Sequence, residues 1–320
     1  MLYKKKFRFH NFLLINLETN NNIIFNKVSN HLGEIKSKAI SNRNIDFRII
    51  FGPGRKSGNE NKLWRQEFIE NRAPEVVITD LPSVKVIAGS YLETVRAYIR
   101  HFRTLKESLV EYVIFQPLRF ILAKSKIFFI HASFVSGNGK NIIFSGPQDC
   151  GKSTLAISLV MKRGFKLLAD DKCFFRLTNK NVEVFPVPTS IGVKKKTLDE
   201  FPELSDKVIP RFKFGGKKRL FLGVTCENAR KRYYCDFLIF PIYKERSKTA
   251  LRKLPFFSAL KKLAQAHLTR SREDKDNKLF IEYFWALYGL VAKVSCFELI
   301  YNDQGLDRAC DLVEEIVYAK

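Results

Sequence analysis

The sequence has no CxxC pair. Its six cysteines, at 150, 173, 226, 235, 296 and 310, stand apart, and no histidine lies at a metal-ligand spacing from any of them. That leaves no framework for disulfides or a zinc site, and thiols used this way point to a reducing compartment. Long apolar runs are missing too. After the basic start Met1-Leu-Tyr-Lys-Lys-Lys6, the stretch Phe12-Leu-Leu-Ile15 ends at Asn16, too short for a secretory signal, and no later run is long enough to span a bilayer. The expectation is a soluble, cytoplasmic protein without a transmembrane segment, at most loosely attracted to an anionic membrane. Internal repeats and low-complexity segments are absent. Acid is scarce: 32 Asp and Glu face 56 Lys and Arg, a net charge of +24. Such a charge attracts polyanions, but no RNP-like, KH-like or other nucleic-acid motif accompanies it, so no specific nucleic-acid partner is expected. Apolar residues are plentiful, at 46% with 29 Phe, which is enough for a packed core and excludes wholesale disorder. A length of 320 residues suits one large domain or two ordinary ones.

Residues 1–120 read as an N-terminal α+β extension. Short apolar runs predict strands at 11–17, 47–51, 75–79 and 84–88, around a polar loop at 52–61, and Leu105, Leu109, Val113, Phe115, Leu118 and Leu122 recur at helical spacing over 104–123. From 121 to 320 the pattern is that of an α/β domain with a mixed sheet flanked by helices. Ile127–Val135 reads as one strand, Ser136-Gly-Asn-Gly-Lys140 as a hairpin turn, and Asn141–Ser145 as a fully apolar central strand. A helix over 152–162 follows, with Gly164 at its C-cap. Strands are predicted at 165–169, 173–177, 182–185, 220–225, 236–241 and 294–301, and helices at 256–267, 279–291 and 306–318.

Between the central strand and its helix lies Gly146-Pro-Gln-Asp-Cys-Gly-Lys-Ser153, which fits GxxxxGK[ST]. The glycines let successive N–H groups turn toward one anion, and the helix starting at Lys152 adds the positive end of its dipole. Lys152 supplies a point charge for the β- and γ-phosphates, and the Ser153 hydroxyl suits Mg²⁺, a hard cation. Gly146, Asp149, Cys150, Gly151, Lys152, Ser153 and Thr154 are therefore the expected nucleotide-binding residues, with Thr154 a second choice for the metal and Cys150 filler within the loop.

Asp170 and Asp171 follow a predicted strand, 18 and 19 positions after Lys152. Ligands gather at the carboxyl ends of strands in open α/β sheets. One carboxylate there can hold Mg²⁺ and another can accept a proton from an attacking hydroxyl.

His131-Ala-Ser, the hairpin, Gly146–Thr154 and then Lys162-Arg-Gly-Phe-Lys-Leu-Leu-Ala-Asp-Asp171 occur in order with short gaps. Over about 130–177 the chain thereby resembles the catalytic domain of HPr kinase/phosphorylase and the stand-alone kinases related to it. The resemblance implies a nucleotide fold shared with ATP-dependent phosphoenolpyruvate carboxykinases, and no NKxD-type guanine motif or ABC-type signature is present to contradict it. It further implies ATP and Mg²⁺, phosphate and metal contacts from Gly146, Gly151, Lys152 and Ser153, metal assistance from Asp170, a base in Asp171 and a histidine near the phosphates in His131. The family's later glycine-arginine signature is absent, so phosphorylase activity is not expected.

Arg211–Arg219 gathers five cations around Gly215-Gly216 and reads as a solvated charged hairpin, with a loop closing on a triphosphate as the alternative. Lys194–Lys196 and Arg230–Arg232 read as surface. The function expected is an HPr-kinase-like serine kinase moving a γ-phosphoryl group to a hydroxyl, foremost a Ser or Thr of a protein or peptide. A non-kinase nucleotide switch, a free-amino-acid kinase and a basic RNA-binding ATPase are the alternatives, and a homo-oligomer is compatible with each.

Overall fold

Alternation of side chains builds the first strands. In β1 (Tyr3–Phe9) and β2 (Leu13–Thr19), Phe7, Ile15 and Leu17 are buried, while Lys4, opposite Glu18 in the antiparallel register, pairs with it at 3.4 Å. The computed structural model describes residues 2–9, 13–32, 44–51, 75–81, 84–89, 94–99, 111–187, 191–214, 217–220, 232–268 and 277–319. The expected loop at 52–61 and the expected helical residues 104–110 lie outside them, as do 221–225 of the expected strand at 220–225.

The chain divides into two units, Met1–Ile121 and Leu122–Lys320. In the first, β1 and β2 are followed by α1 (Asn22–Leu32), capped by Asn21, whose Oδ1 accepts the N–H groups of Ile23 and Ile24 at 2.9 and 3.1 Å. β3 (Asn44–Phe51), β4 (Glu75–Leu81), β5 (Val84–Gly89) and β6 (Thr94–Ile99) complete a mixed sheet of order β1-β2-β3-β6-β5-β4. β1, α1 and β6 have no counterpart in the sequence reading. The three consecutive lysines of β1 made its first half read only as a basic start, although Phe7-Arg8-Phe9 alternates as a half-buried strand does.

A π-helical turn at Glu111–Phe115 and α2 (Gln116–Lys124) lead into the second unit. There β7 (Phe128–Ile130) and β8 (Ala132–Gly137) are separate strands, where the sequence predicts one continuous strand over 127–135. The break falls at His131 and sends β7 to a different sheet. β9 (Lys140–Ser145) forms the expected hairpin with β8 and feeds α3 (Lys152–Arg163), which ends at Gly164 with φ 66°. β10 (Lys166–Ala169), β11 (Cys173–Leu177), β12 (Val182–Pro186), β13 (Ile191–Val193) and α4 (Lys195–Glu200) follow. Next come β14 (Val208–Phe214), β15 (Lys217–Leu220), β16 (Tyr233–Tyr234), β17 (Phe237–Tyr243), β18 (Ala250–Lys253), α5 (Phe256–His267), α6 (Asn277–Lys293), β19 (Ser295–Tyr301) and α7 (Leu306–Tyr318).

The central sheet has the order β10-β8-β9-β17-β19-β18. β9, β17 and β19 run parallel, and the outer pairings are antiparallel. Both faces are covered, which is why β9 reads as a run of apolar residues rather than an alternation. Ile142 and Phe144 pack with Leu155, Leu159 and Val313 of α3 and α7. Ile143 faces the other way, toward Leu263 of α5, Leu287 and Leu290 of α6, and β11–β12. The second unit is thus a mixed sheet flanked by helices. The basic pair that ends α3 ties it to α7: Lys162 reaches Asp307 at 2.9 Å, and Arg163 pairs with Asp311 and, at 3.3 Å, with Glu314. The four-stranded sheet β16-β12-β11-β7 and the three-stranded sheet β13-β15-β14 complete the unit. Of the basic stretch 211–219, residues 211–214 lie on β14 and 217–219 on β15, its antiparallel partner.

Candidate functional site

β9 is anchored in the core on both faces, so the loop that leaves it starts from a fixed point. Gly146, Asp149 and Gly151 have φ of 153°, 61° and 97°, three positive values within six residues. The chain therefore turns sharply over this stretch. Asp149 is the unusual member, since a side chain disfavours that conformation and Asp tolerates it better than most residues. A Cβ on Gly151 would lie 1.8 Å from the Tyr301 hydroxyl, so glycine is required there by both backbone and neighbour. Tyr301, at the end of β19 and 2% exposed, donates its hydroxyl to Gly151 O at 3.1 Å. Burial pushes its pKa up, reinforced by the nearby Cys150, so the phenol keeps its proton and stays a donor.

Lys152 begins α3 and is only 5% exposed. Its ammonium donates to Gly146 O at 3.0 Å and Pro147 O at 2.7 Å, and lies 3.8 Å from Cys150 Sγ. Two of the loop's own carbonyls thus hold the ammonium. One residue on, the Ser153 hydroxyl lies 2.9 and 3.1 Å from the two carboxylate oxygens of Asp170. Asp170, at the end of β10 and 1% exposed, also accepts the hydroxyl of fully buried Ser133 on β8 at 2.6 Å. Hydroxyl donors of this kind stabilise a buried carboxylate.

Asp171 is placed differently. Its φ of 65° turns the chain at the strand end, and its side chain, 32% exposed, lines the cleft with His131. His131 Nδ1 lies 3.0 Å from Asp171 O. A carbonyl only accepts, so this nitrogen carries a proton. Nε2 is then the nitrogen 3.5 Å from the Asp171 carboxylate, and a second proton there completes an ion pair.

One cleft joins these groups. Asp149, Gly151, Lys152, Ser153 and Thr154 line one side, with His131 and Asp171 beside them, and Gly192, Lys194 and Thr197 of the β13–α4 segment form another wall. Gly146, Cys150 and Asp170 stand behind the lining: Gly146 shapes the turn, Cys150 packs against it, and Asp170 reaches the cleft through Ser153. Three participants were not singled out from the sequence. Ser133 sits in the quoted His131-Ala-Ser, a polar residue in an apolar strand, and that was its signal. Tyr301 carried no signal. Lys194, read as surface, forms an ion pair with Asp149 at 2.9 Å. Beneath the aspartates, burial, then the charge of Asp170, pushes the Cys173 thiol well above its ordinary pKa and leaves it inert. Among the described residues no helix is long and apolar enough to cross a membrane.

No protein-family model matches the chain, and no curated protein matches it. Among solved structures it matches the Hpr(Ser) kinase/phosphatase from Coxiella burnetii, at 11% identity and a TM-score of 0.32, over 59% of this chain and 95% of that one. A likeness that loose carries no argument about the site, whose reading rests on its own geometry.

Proposed function

We propose that this protein is an ATP-dependent kinase that transfers a γ-phosphoryl group to a hydroxyl, foremost that of a Ser or Thr in a protein or peptide. One observation carries the reading. A phosphate-type loop with its lysine and serine, a buried carboxylate bonded to that serine and a solvent-reaching carboxylate beside a histidine all meet in one cleft.

The residues fit a triphosphate with Mg²⁺. The loop's backbone turns sharply through three positive φ values, and glycine is sterically required at its end. Ser153 and Asp170 offer hard oxygen donors, as Mg²⁺ prefers. Among the described residues no group of three His, Cys, Asp or Glu forms a metal cage of its own, which suits an ion carried in with phosphates. When bound, Mg²⁺ would neutralise charge on the phosphate oxygens.

The chain's own groups then have distinct tasks. Loop amides and Lys152 hold the phosphates and stabilise charge that grows during transfer. Ser133 holds Asp170 so that it and Ser153 present their oxygens together. Asp171, open to the cleft, accepts the acceptor's proton as that oxygen bonds to the γ-phosphorus and the bond to departing ADP breaks. His131 holds the Asp171 backbone through its ring nitrogen. The N-terminal unit is proposed as an α+β extension to this catalytic unit.

The test is transfer of ³²P from γ-labelled ATP with Mg²⁺ to a panel of proteins, peptides and free serine, with Lys152→Ala and Asp171→Asn as controls. Label on an acceptor hydroxyl, lost in both variants, is the expected result. Free phosphate alone, or ATP binding without turnover, would refute the kinase reading and favour a nucleotide switch.

A further inference from the structure

The β13–α4 wall of the cleft is rigidly built, although its lysine is exposed. Gly192 and Val193 pair with Arg219 and Lys218 of β15, and Val193 is buried in the core that holds α3. Lys194 itself is extended, and its carbonyl accepts the N–H groups of Thr197 and Leu198 at 3.1 and 3.3 Å. Thr197 and Leu198 are buried in turn. The backbone of Lys194 is therefore pinned on both sides while its side chain, 57% exposed, reaches over the cleft to Asp149 at 2.9 Å. Asp149 belongs to the phosphate loop, so the pair closes a bridge from one wall of the cleft to the other.

An ion pair this exposed contributes little to stability and is readily exchanged for a stronger partner. A triphosphate on the loop is such a partner. It brings several negative charges within reach of the ammonium and sets them beside Asp149, whose like charge it opposes. Lys152 and the loop amides serve the phosphates from behind. A cation on the facing wall can serve phosphate oxygens that they leave open, and the terminal phosphate carries the most charge.

We propose that Lys194 is a second phosphate-binding cation of this site, held by Asp149 before nucleotide enters and transferred to the terminal phosphate of ATP when it binds. The inference rests on the nucleotide-binding reading above. It assigns opposite roles to the two partners: Lys194 strengthens ATP binding, and the Asp149 carboxylate competes with it.

Displacement of a fluorescent ATP analogue by Mg²⁺·ATP and by Mg²⁺·ADP, from the full-length protein, tests this. Lys194→Met is expected to raise the dissociation constant for ATP by about tenfold, the size of one charge-assisted contact, and that for ADP by no more than about twofold. Asp149→Asn, tolerated at that backbone conformation, is expected to tighten ATP binding, and the gain should vanish in the double variant. Lys194→Arg, which keeps the charge, should retain the preference for ATP over ADP and so separates loss of charge from any loss of fold. Equal weakening of ATP and ADP in Lys194→Met, no change in either, or weaker ATP binding in Asp149→Asn would overturn the role of Lys194 and leave the loop as a nucleotide site. A wild-type protein that binds neither nucleotide would remove both readings together.

Discussion

Replacing Gly151 by alanine tests whether the loop's shape is enforced by the core behind it. The new methyl enters a residue with φ 97°, where a side chain costs about 1–2 kcal/mol. It would also sit 1.8 Å from the Tyr301 hydroxyl, so the tyrosine must shift within a packed core, at about 1–3 kcal/mol more. Gly151→Ala should then destabilise the second unit by about 2–5 kcal/mol. Tyr301→Phe alone removes one hydrogen bond, worth about 1 kcal/mol, because Gly151 O still accepts the Leu155 N–H at 2.9 Å. In the double variant the clashing oxygen is gone, and the nearest remaining atom is Cζ at 2.9 Å, so relief is partial. The two changes should therefore be non-additive, with the double variant at least about 1 kcal/mol more stable than the sum of the singles. Urea unfolding followed by tryptophan fluorescence, with Trp64→Phe as background so that Trp285 reports, measures this. Additive losses would show that Tyr301 does not confine the loop.

Ser133→Ala removes one of the hydroxyls on buried Asp170 and should raise the Mg²⁺ concentration for half-maximal nucleotide binding by about tenfold, the scale of a hydrogen bond to a charged group. A titration in Mg²⁺ at fixed ATP checks it, and an unchanged midpoint would count against Ser133 as a positioning residue. Burial pushes the thiols of Cys173 and Cys235 well up, and those of Cys296 and Cys310 to about 12. Thiolate is the reactive form, so at neutral pH these four should resist a maleimide while half-buried Cys150 reacts ahead of them and is shielded by Mg²⁺·ATP; peptide mapping that found the buried four modified as fast as Cys150 would contradict the packing.

Much of the site was legible because it is local in sequence. An apolar strand, a glycine loop, Lys152 and Ser153 at a helix start, and an Asp pair ending the next strand are set by short spacing and local turn geometry. The hairpin at 136–140 and the stop at Gly164 are likewise dictated by turn geometry over a few residues. The same locality misled elsewhere. Ile127–Val135 is apolar except for His131 and Ser133, and no period reveals that the chain breaks at His131 and hands β7 to another sheet. β1 passed as a basic start because Lys4, Lys5 and Lys6 run together and hide the short alternation Phe7-Arg8-Phe9 that follows.

By itself, then, the sequence determined the loop, its helix and the presence of two carboxylates at a strand end, since backbone conformation and short spacing decide those. Tertiary structure alone decided that the two aspartates have different surroundings, one buried between the hydroxyls of Ser133 and Ser153 and the other open beside His131. It also brought Tyr301 to Gly151 across 150 positions and Lys194 to Asp149 from a separate sheet. Those contacts depend on the order in which strands pair, and that order follows from burying both faces of one sheet rather than from any pattern within a segment.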